Sequence, residues 1–306
     1  MLNTIFSYFA FFKYFKVMPN CYMNVKDSLL VYLFHREAKK KGIPIIDRSL
    51  KIKPKKGKKI FILGSGESIA NLNDDDWQHI KDHDTAALNY FYVHDFTPNI
   101  MFVELNMHSG LVELFERNCV EEDRFSNTRI ILQYKHARRT KIYDKSNTRK
   151  KVESYIPVNL AASSKDEFSR LYANRNKAKF VHHASHVCAL VDFCISEGYE
   201  QIILIGVDLN GGKYFYEAKS KSKNYPENKK YHELDIQRKD FFTLNGESNI
   251  QVHQSMMKSL SSKYSNLNVY EYFEVINKFH PGVLAVYNQD SKLSELFPIY
   301  KSQLPK

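Results

Sequence analysis

Residues 59–69 read KIFILGSGESI, and this stretch decides the fold class. Its apolar run at 60–63 ends directly at Gly64, and a second glycine follows at Gly66. A short apolar run that ends at glycines is typical of a buried parallel strand followed by a tight turn. In α/β proteins such a turn leads into a helix and holds phosphates, because backbone N–H groups and the helix dipole face the anion. The stretch therefore predicts a phosphate site after the first strand.

The rest of the chain repeats this strand-and-helix pattern. Further apolar runs predict strands at 85–88, 100–103, 129–132, 201–206 and 267–272. Helical spacing predicts a buried helix at 184–196 and a further helix at 250–263, whereas 134–180 is basic and shows no regular period. Strands that alternate with helices predict an α/β fold with a doubly wound, mostly parallel, Rossmann-like sheet.

The pattern also predicts limits for the parts of the chain. Residues 1–57 form an N-terminal extension with a helix near 26–41, and 58–285 form the α/β domain that carries the predicted site. A stretch rich in Lys, Tyr and Glu at about 213–245 follows a predicted strand end, and long loops of this kind often act as lids. Residues 286–306 are predicted to be a C-terminal tail.

The composition indicates a globular protein with an anionic partner. Of the 306 residues, 43% are hydrophobic and 26% are charged, which supports a sizeable core and argues against wholesale disorder. Forty-five Lys and Arg against 34 Asp and Glu leave a net charge of +11, which favours phosphorylated substrates, anionic lipid or nucleic acid. Nucleic acid is not expected, because the basic residues do not interleave with aromatic residues in an RNA-binding pattern.

The first 18 residues, MLNTIFSYFAFFKYFKVM, are unusually aromatic. Their lysines follow the apolar run, whereas a signal peptide carries its charges ahead of it. An aromatic helix with lysines fits a membrane interface, and the alternative is a helix packed on the surface of the domain itself. No apolar run reaches 18 residues, so no membrane-spanning helix is predicted. With four cysteines that lack paired metal spacing, we expect a cytoplasmic protein that is peripheral on the inner membrane.

Amide side chains at predicted strand ends distinguish among nucleotides. The glycine turn lacks the third glycine of the dinucleotide fingerprint, since Ile69 stands there, and no Gly-Lys-Ser/Thr of a P-loop follows. The second strand ends at the neutral Asn89, where a NAD site needs an acidic residue. Asn89 and Asn106 both donate and accept hydrogen bonds, which suits a ribose, a pyrimidine edge or a sugar. Asp208 also follows a strand, so the three side chains are expected in one crevice.

Several features recur in a fixed order: GSGESI, Asn89, Asn106, the segment SHVCALVDFCISEGYEQIILIGVDL and a tyrosine-rich loop. In this order residues 58–285 resemble the bacterial sialyltransferases of glycosyltransferase family 42, and related domains transfer other nonulosonic acids. The resemblance implies that 58–285 is a nucleotide-sugar-binding catalytic domain, a GT-A-like variant of the Rossmann-like fold. It also implies CMP-sialic acid as donor and inverting transfer that needs no metal and no cofactor. It implies a glycan acceptor at the cell surface, such as lipopolysaccharide or capsule.

The resemblance also implies a site. Its members are, for the CMP phosphate, Gly64, Ser65, Gly66 and Ser68; for the nucleotide and donor sugar, Asn89, Asn106, Ser185 and Asp208; and for the departing phosphate, Tyr214 and Tyr216.

Two positions depart from the family pattern. The general base of the family is a histidine between Gly and Ser, and Glu247 stands there in this chain. A carboxylate serves as a base where burial raises its pKa, and His232 and His253 are the other candidates. The arginine that the family places near the sugar carboxylate is replaced by His182. Both departures leave the acceptor and the donor sugar open.

Two other classes of function fit the same sequence. A pyrophosphokinase-like phosphotransfer enzyme would use this sheet with Mg²⁺ held by carboxylates. A non-catalytic basic module would bind a membrane or nucleic acid. The histidines at 182, 183 and 186 have helical spacing, but no carboxylate or cysteine completes a metal set, so no metal is predicted. The linkage and the oligomeric state, including a homo-oligomer, stay open at this point.

Overall fold

The structure is a computed structural model that covers most of the predicted catalytic domain and part of the extension. It describes residues 19–46, 58–105, 108–145, 148, 151–175, 180–183, 185–209, 213–217, 229–244 and 267–301. Within 19–23 and 239–244 the structure describes the backbone alone.

A seven-stranded sheet forms the centre of the described structure. Its strands are β1 Lys59–Leu63, β2 Asp84–Leu88, β3 Ile100–Val103, β4 Arg129–Gln133, β5 Val152–Tyr155, β6 Gln201–Ile205 and β7 Leu284–Val286. They lie in the order β5-β4-β3-β2-β1-β6-β7, and every pair is parallel. The α/β fold with a doubly wound parallel sheet is therefore confirmed.

Helices cover both faces of the sheet. They are α1 Pro19–Lys40, α2 Asp74–Lys81, α3 Ser109–Phe115, α4 Tyr134–Ala137, α5 Lys165–Asn174, α6 His186–Ser196, α7 Lys229–Leu244 and α8 Val269–Phe279. The apolar residues of α2 and α3 join Phe61 and Leu63 of β1 in one core layer. Those of α5, α6 and α8 join Ile60 and Ile62 in the other. Because β1 is covered on both faces, it reads as a continuous apolar run.

The predicted strand at 267–272 is wrong, because these residues begin α8. The side chain of Asn268 accepts the N–H of Glu271 at 2.9 Å, and the Glu271 carboxylate accepts the N–H of Asn268 at 2.8 Å. This capping box starts a helix. The buried Tyr272 and Ile276 lie four positions apart, which is a helical spacing. The predicted helix at 250–263 lies outside the described residues.

The prediction that 134–180 lacks regular structure is wrong, since this range contains α4, β5 and α5. Strand β5 lies at the edge of the sheet, where polar residues take part in the pairing. Glu153 forms an ion pair with Arg129 of β4. The N–H of Ser154 donates to Pro44 O at 2.8 Å, and the Ser154 carbonyl accepts the N–H of Ile46 at 2.7 Å. The segment after α1 thus covers this edge.

In the described part of the extension the predicted helix is present as α1, which begins earlier than expected. Its Asn24 accepts the N–H of Ala161 at 2.8 Å, and Asp27 accepts the N–H of Asn159 at 3.0 Å, so the helix lies against the loop after β5. The limits of the extension, the domain and the tail stay predictions, and so does the lid. Helix α7 lies within the range predicted for the lid. Among the described helices, none combines the length and apolar character needed to cross a bilayer.

We predict that Asn268→Ala lowers the free energy of unfolding by about 1 kcal/mol, because the cap of α8 is lost. Urea unfolding at pH 7 measures this change, and Asn268→Asp, which keeps the accepting oxygen, serves as the matched control. An unchanged midpoint in Asn268→Ala would contradict the assigned role of the capping box.

Candidate active site

The candidate site lies at the carboxyl edge of the sheet, where the strand order reverses. The chain builds outward from β1 to β5 and then returns to the other side of β1 with β6. In doubly wound sheets ligands bind at such a switch point, beyond the carboxyl ends of the strands. The loops at 64–68 and 206–208 leave β1 and β6 on either side of this point. The glycine turn predicted from the sequence therefore stands at the ligand-binding position of the fold.

The glycines in these loops are explained by the close approach of the two loops. A Cβ on Gly64 would lie 2.2 Å from the carbonyl oxygen of Gly206, and one on Gly66 would lie 2.2 Å from the Asp208 carboxylate. Gly206 has φ +67°, and its own Cβ would lie 2.6 Å from the side chain of Ile69. The glycine pattern thus has an architectural cause that is independent of any phosphate.

The same approach uses N–H groups of the glycine turn. Those of Gly64 and Gly66 donate to the carbonyls of Ile205 and Gly206, at 2.7 and 2.8 Å. Asp208 is buried, and its carboxylate accepts the Ser68 hydroxyl at 2.5 Å and the Ser68 N–H at 3.1 Å. Burial raises the pKa of Asp208, and the two bonds from Ser68 oppose that rise. A bound phosphate must take its hydrogen bonds from other groups.

Asn89 begins the turn after β2 and connects two elements of the site. It has φ +47°, a left-handed conformation that asparagine tolerates better than most residues. Its Oδ1 accepts the N–H of Glu104 at 3.1 Å, which fixes the orientation of the amide. The same oxygen lies 2.9 Å from Nδ1 of His186, so that nitrogen is the donor. Within the described residues no hydrogen bond uses Nδ2 of Asn89, which is left for a ligand or water.

His186 is a neutral imidazole in this arrangement. Burial lowers the pKa of His186 well below its usual value, and the nearby His182 acts in the same direction. With Nδ1 donating to Asn89, Nε2 is the acceptor, and it is buried with no partner in the described part of the chain. The sequence pattern gives His186 no role beyond its helical spacing from His182 and His183.

Glu104 and His136 form a pair that the sequence analysis did not identify. Glu104 follows β3, and His136 lies on α4, which follows β4 directly. Their Oε1 and Nε2 atoms are 3.1 Å apart, and the side chains are 27% and 32% exposed. Burial raises the pKa of Glu104 to about 7, and burial with Lys135 and Arg139 lowers the pKa of His136 to about 4. Asn89 was selected because it follows a strand directly, and Glu104 could have been found on the same ground.

His182 and Ser185 lie farther along the same edge. Nδ1 of His182 is 3.3 Å from the hydroxyl of Tyr155, and burial lowers the pKa of His182 to about 3. In the family that this chain resembles, an arginine at this position lies near the sugar carboxylate. A neutral imidazole cannot supply that positive charge. Ser185 occupies the N-cap position of α6, and its side chain makes no capping hydrogen bond.

Tyr214 and Tyr216 stack against each other beside the glycine turn. Their ring centroids are 5.2 Å apart, and the N–H of Phe215 between them donates to Ser65 O at 3.1 Å. Arg238 of α7 lies over both rings, 4.6 Å from the centroid of Tyr214 and 5.1 Å from that of Tyr216. Tyr216 is fully buried and its hydroxyl has no partner in the described part of the chain, whereas Tyr214 is half-buried. Arg238 lies in the predicted lid range, and no sequence pattern marks it as a buried cation of the site.

The remaining predicted residues are one exposed histidine and three residues outside the described ranges. His232 lies on α7 with an exposed side chain. Asn106, Glu247 and His253 lie outside the described residues, and their roles stay predictions. Among the described residues, no group of three or more His, Cys, Asp and Glu side chains is placed to hold a metal ion.

Comparisons with known proteins find solved structures that resemble this chain at low sequence identity. No protein-family model matches the chain, and no curated protein matches its sequence. An apo α-2,3-sialyltransferase from Campylobacter jejuni is 15% identical with a TM-score of 0.43, over 81% of this chain and 82% of that one. A MAf glycosyltransferase from Magnetospirillum magneticum AMB-1 is 17% identical with a TM-score of 0.37, over 55% of this chain and 25% of that one. At this distance neither structure carries information on the activity of this chain.

The contact between the two loops makes a stability prediction. We predict that Gly64→Ala destabilises the fold by about 3 kcal/mol or more, because its Cβ would collide with backbone atoms of Gly206. Gly198→Ala is the matched control: its φ is +88°, but nothing lies within 4 Å of an added Cβ. That variant should lose only about 1 kcal/mol, the cost of the left-handed conformation. Equal losses in urea unfolding would contradict the loop contact.

Proposed function

We propose that the chain is a glycosyltransferase that moves a sialic acid-like sugar from a CMP donor to a glycan acceptor, with inversion and without a metal. The observation that carries this proposal is the position of the glycine turn, Asn89 and Tyr214 beside the switch point of a doubly wound sheet. Such sheets bind phosphorylated ligands there. The order of these features along the chain resembles that of the family 42 sialyltransferases.

In this proposal the donor is held by side chains and by backbone N–H groups that do not donate between the two loops. The hydroxyls of Ser65 and Tyr214 and the Nδ2 amide of Asn89 supply hydrogen bonds, since the N–H groups of Gly64, Gly66 and Ser68 already donate within the protein. The guanidinium of Arg238 lies over the Tyr214 ring and places a fixed positive charge near the departing phosphate. Preorganised charge of this kind stabilises a leaving group without reorganisation.

The reaction requires three events at this edge. An acceptor hydroxyl oxygen attacks the anomeric carbon of the donor, and the bond from that carbon to the phosphate oxygen of CMP breaks. The bonding electron pair goes to CMP, whose added charge is stabilised by Tyr214 and Arg238. A base must take the proton of the acceptor hydroxyl. Asp208, held by Ser68, orders the loop rather than serving as that base.

Association with the membrane surface and with a surface glycan belongs to the same proposal. The net charge of +11 favours an anionic surface and an anionic donor alike. Phosphotransfer on the same fold would need Mg²⁺ held by carboxylates, and it is the alternative that an EDTA arm separates.

We predict that the purified chain releases CMP from CMP-sialic acid faster when an oligosaccharide acceptor is added, and that EDTA leaves this rate unchanged. Tyr214→Phe should lower kcat/KM about tenfold, because one hydrogen bond to the leaving group is lost. Tyr270→Phe on α8 is the matched control, since its hydroxyl donates to Glu295 away from the site. If the chain converts a nucleotide substrate only when EDTA is absent, phosphotransfer is favoured and the proposal is contradicted.

A further inference from the structure

Glu104 places an acidic side chain at the carboxyl edge of the sheet, close to the proposed donor site. It follows β3, two strand spacings from β1, which is about 10 Å along the sheet edge. Its N–H donates to Asn89, so its backbone is fixed to the residue that is proposed to hold the donor. Its carboxylate is 27% exposed and can therefore reach a substrate atom without the chain unfolding.

The surroundings of Glu104 suit proton transfer. His136 lies 3.1 Å away and is neutral, since burial holds its pKa at about 4. Burial raises the pKa of Glu104 to about 7, while the charge of Lys135 and a hydrogen bond from Gln133 act against the rise. His182 is also neutral, and its Nε2 lies 3.5 Å from Nε2 of Gln133 at the same edge. A base is most effective when its pKa lies near the working pH.

We propose that Glu104 is the general base of the transfer and that His136 is a positioning residue that orients its carboxylate. The proposal rests on the glycosyltransferase function proposed above. The proton of the acceptor hydroxyl passes to a carboxylate oxygen of Glu104 as the acceptor oxygen bonds to the anomeric carbon. The bond to CMP breaks with its electrons on the phosphate oxygen. Protonated Glu104 then returns its proton to solvent.

This assignment competes with the sequence predictions of Glu247, His232 and His253. A purely structural pair of Glu104 and His136 is the other alternative, and it would hold α4 against β3 without any effect on proton transfer. The two roles differ in their pH dependence. A base must be ionised, so activity falls as the pH drops through its pKa, whereas the loss of a structural contact lowers stability at every pH.

The test compares kcat and kcat/KM for CMP-sialic acid between pH 5 and 9 in wild type, Glu104→Gln, Glu104→Asp, His136→Asn and Glu247→Gln. Glu113→Gln on α3 is the control, since Glu113 is exposed. Glu104→Gln should lower kcat by about 10²- to 10⁴-fold with an unchanged donor KM. It should also abolish the acid limb of the pH profile, which is the fall in activity as the pH drops through about 7. Glu104→Asp should restore part of kcat together with the limb, and His136→Asn should keep most of kcat but shift the limb.

The acid limb should lie at higher pH in kcat than in kcat/KM. The kcat profile reports the complex, in which the anionic donor beside Glu104 favours its protonated form. Wild-type kcat in Glu104→Gln, or an unchanged limb with a large loss in Glu247→Gln, would overturn the assignment. So would a Glu104→Gln variant that loses stability and donor binding together, as a structural residue does.

The failure of this inference and the failure of the proposed function give different results. If the wild type transfers sugar in EDTA and Glu104→Gln does so equally well, only the assignment of the base fails. If the wild type releases no CMP and CMP does not stabilise it, the proposed function fails, and the assignment of Glu104 fails with it.

Discussion

The contact between the loops after β1 and β6 is the constraint on which the candidate site depends. Gly64 and Gly206 allow the two backbones to touch, and the Ser68–Asp208 hydrogen bonds close the gap between them. The contact fixes the turn at the switch point and at the same time uses N–H groups that such a turn offers to phosphate. Donor binding in our account therefore shifts to the rim of the turn, where Ser65 and Tyr214 lie.

Burial controls the charge along the rest of this edge. Burial lowers the pKa of His136, His182 and His186, and nearby cationic or imidazole groups act in the same direction, so each is neutral at pH 7. Arg238 remains charged: it lies over the tyrosine stack and forms an ion pair with Glu217 at 3.8 Å. The site therefore combines neutral hydrogen-bonding groups with a buried cation, and a carboxylate, Glu104, titrates near neutrality.

Much of the fold was predictable because the central strands are apolar runs that glycines or amides terminate. β1 and β6 have neighbours on both sides and apolar layers on both faces, so their sequences carry a strong signal. Edge strand β5 was missed, since Glu153 and Ser154 pair with Arg129 and the backbone of Pro44. The start of α8 was mistaken for a strand because its apolar residues were counted and the cap at Asn268 was not.

The site was predictable only where residues follow a strand directly. Asn89 and Asp208 were selected on that ground, and both lie at the expected edge. His136 and Arg238 could not be placed, because their positions depend on how α4 and α7 pack across the sheet. The raised pKa of Glu104 depends on burial that no single stretch of sequence records.

The most direct test of the central claim is thermal unfolding of the purified full chain with CMP, UDP, GDP, ATP or NAD, each with and without EDTA. A ligand that binds only the folded state raises the midpoint according to its saturation, by about 2.7 kcal/mol of stability at 100 times its Kd. We predict that CMP raises the midpoint more than the other nucleotides do and that EDTA leaves the rise intact. A rise with ATP that requires Mg²⁺, or no rise with any of the five, would contradict the account.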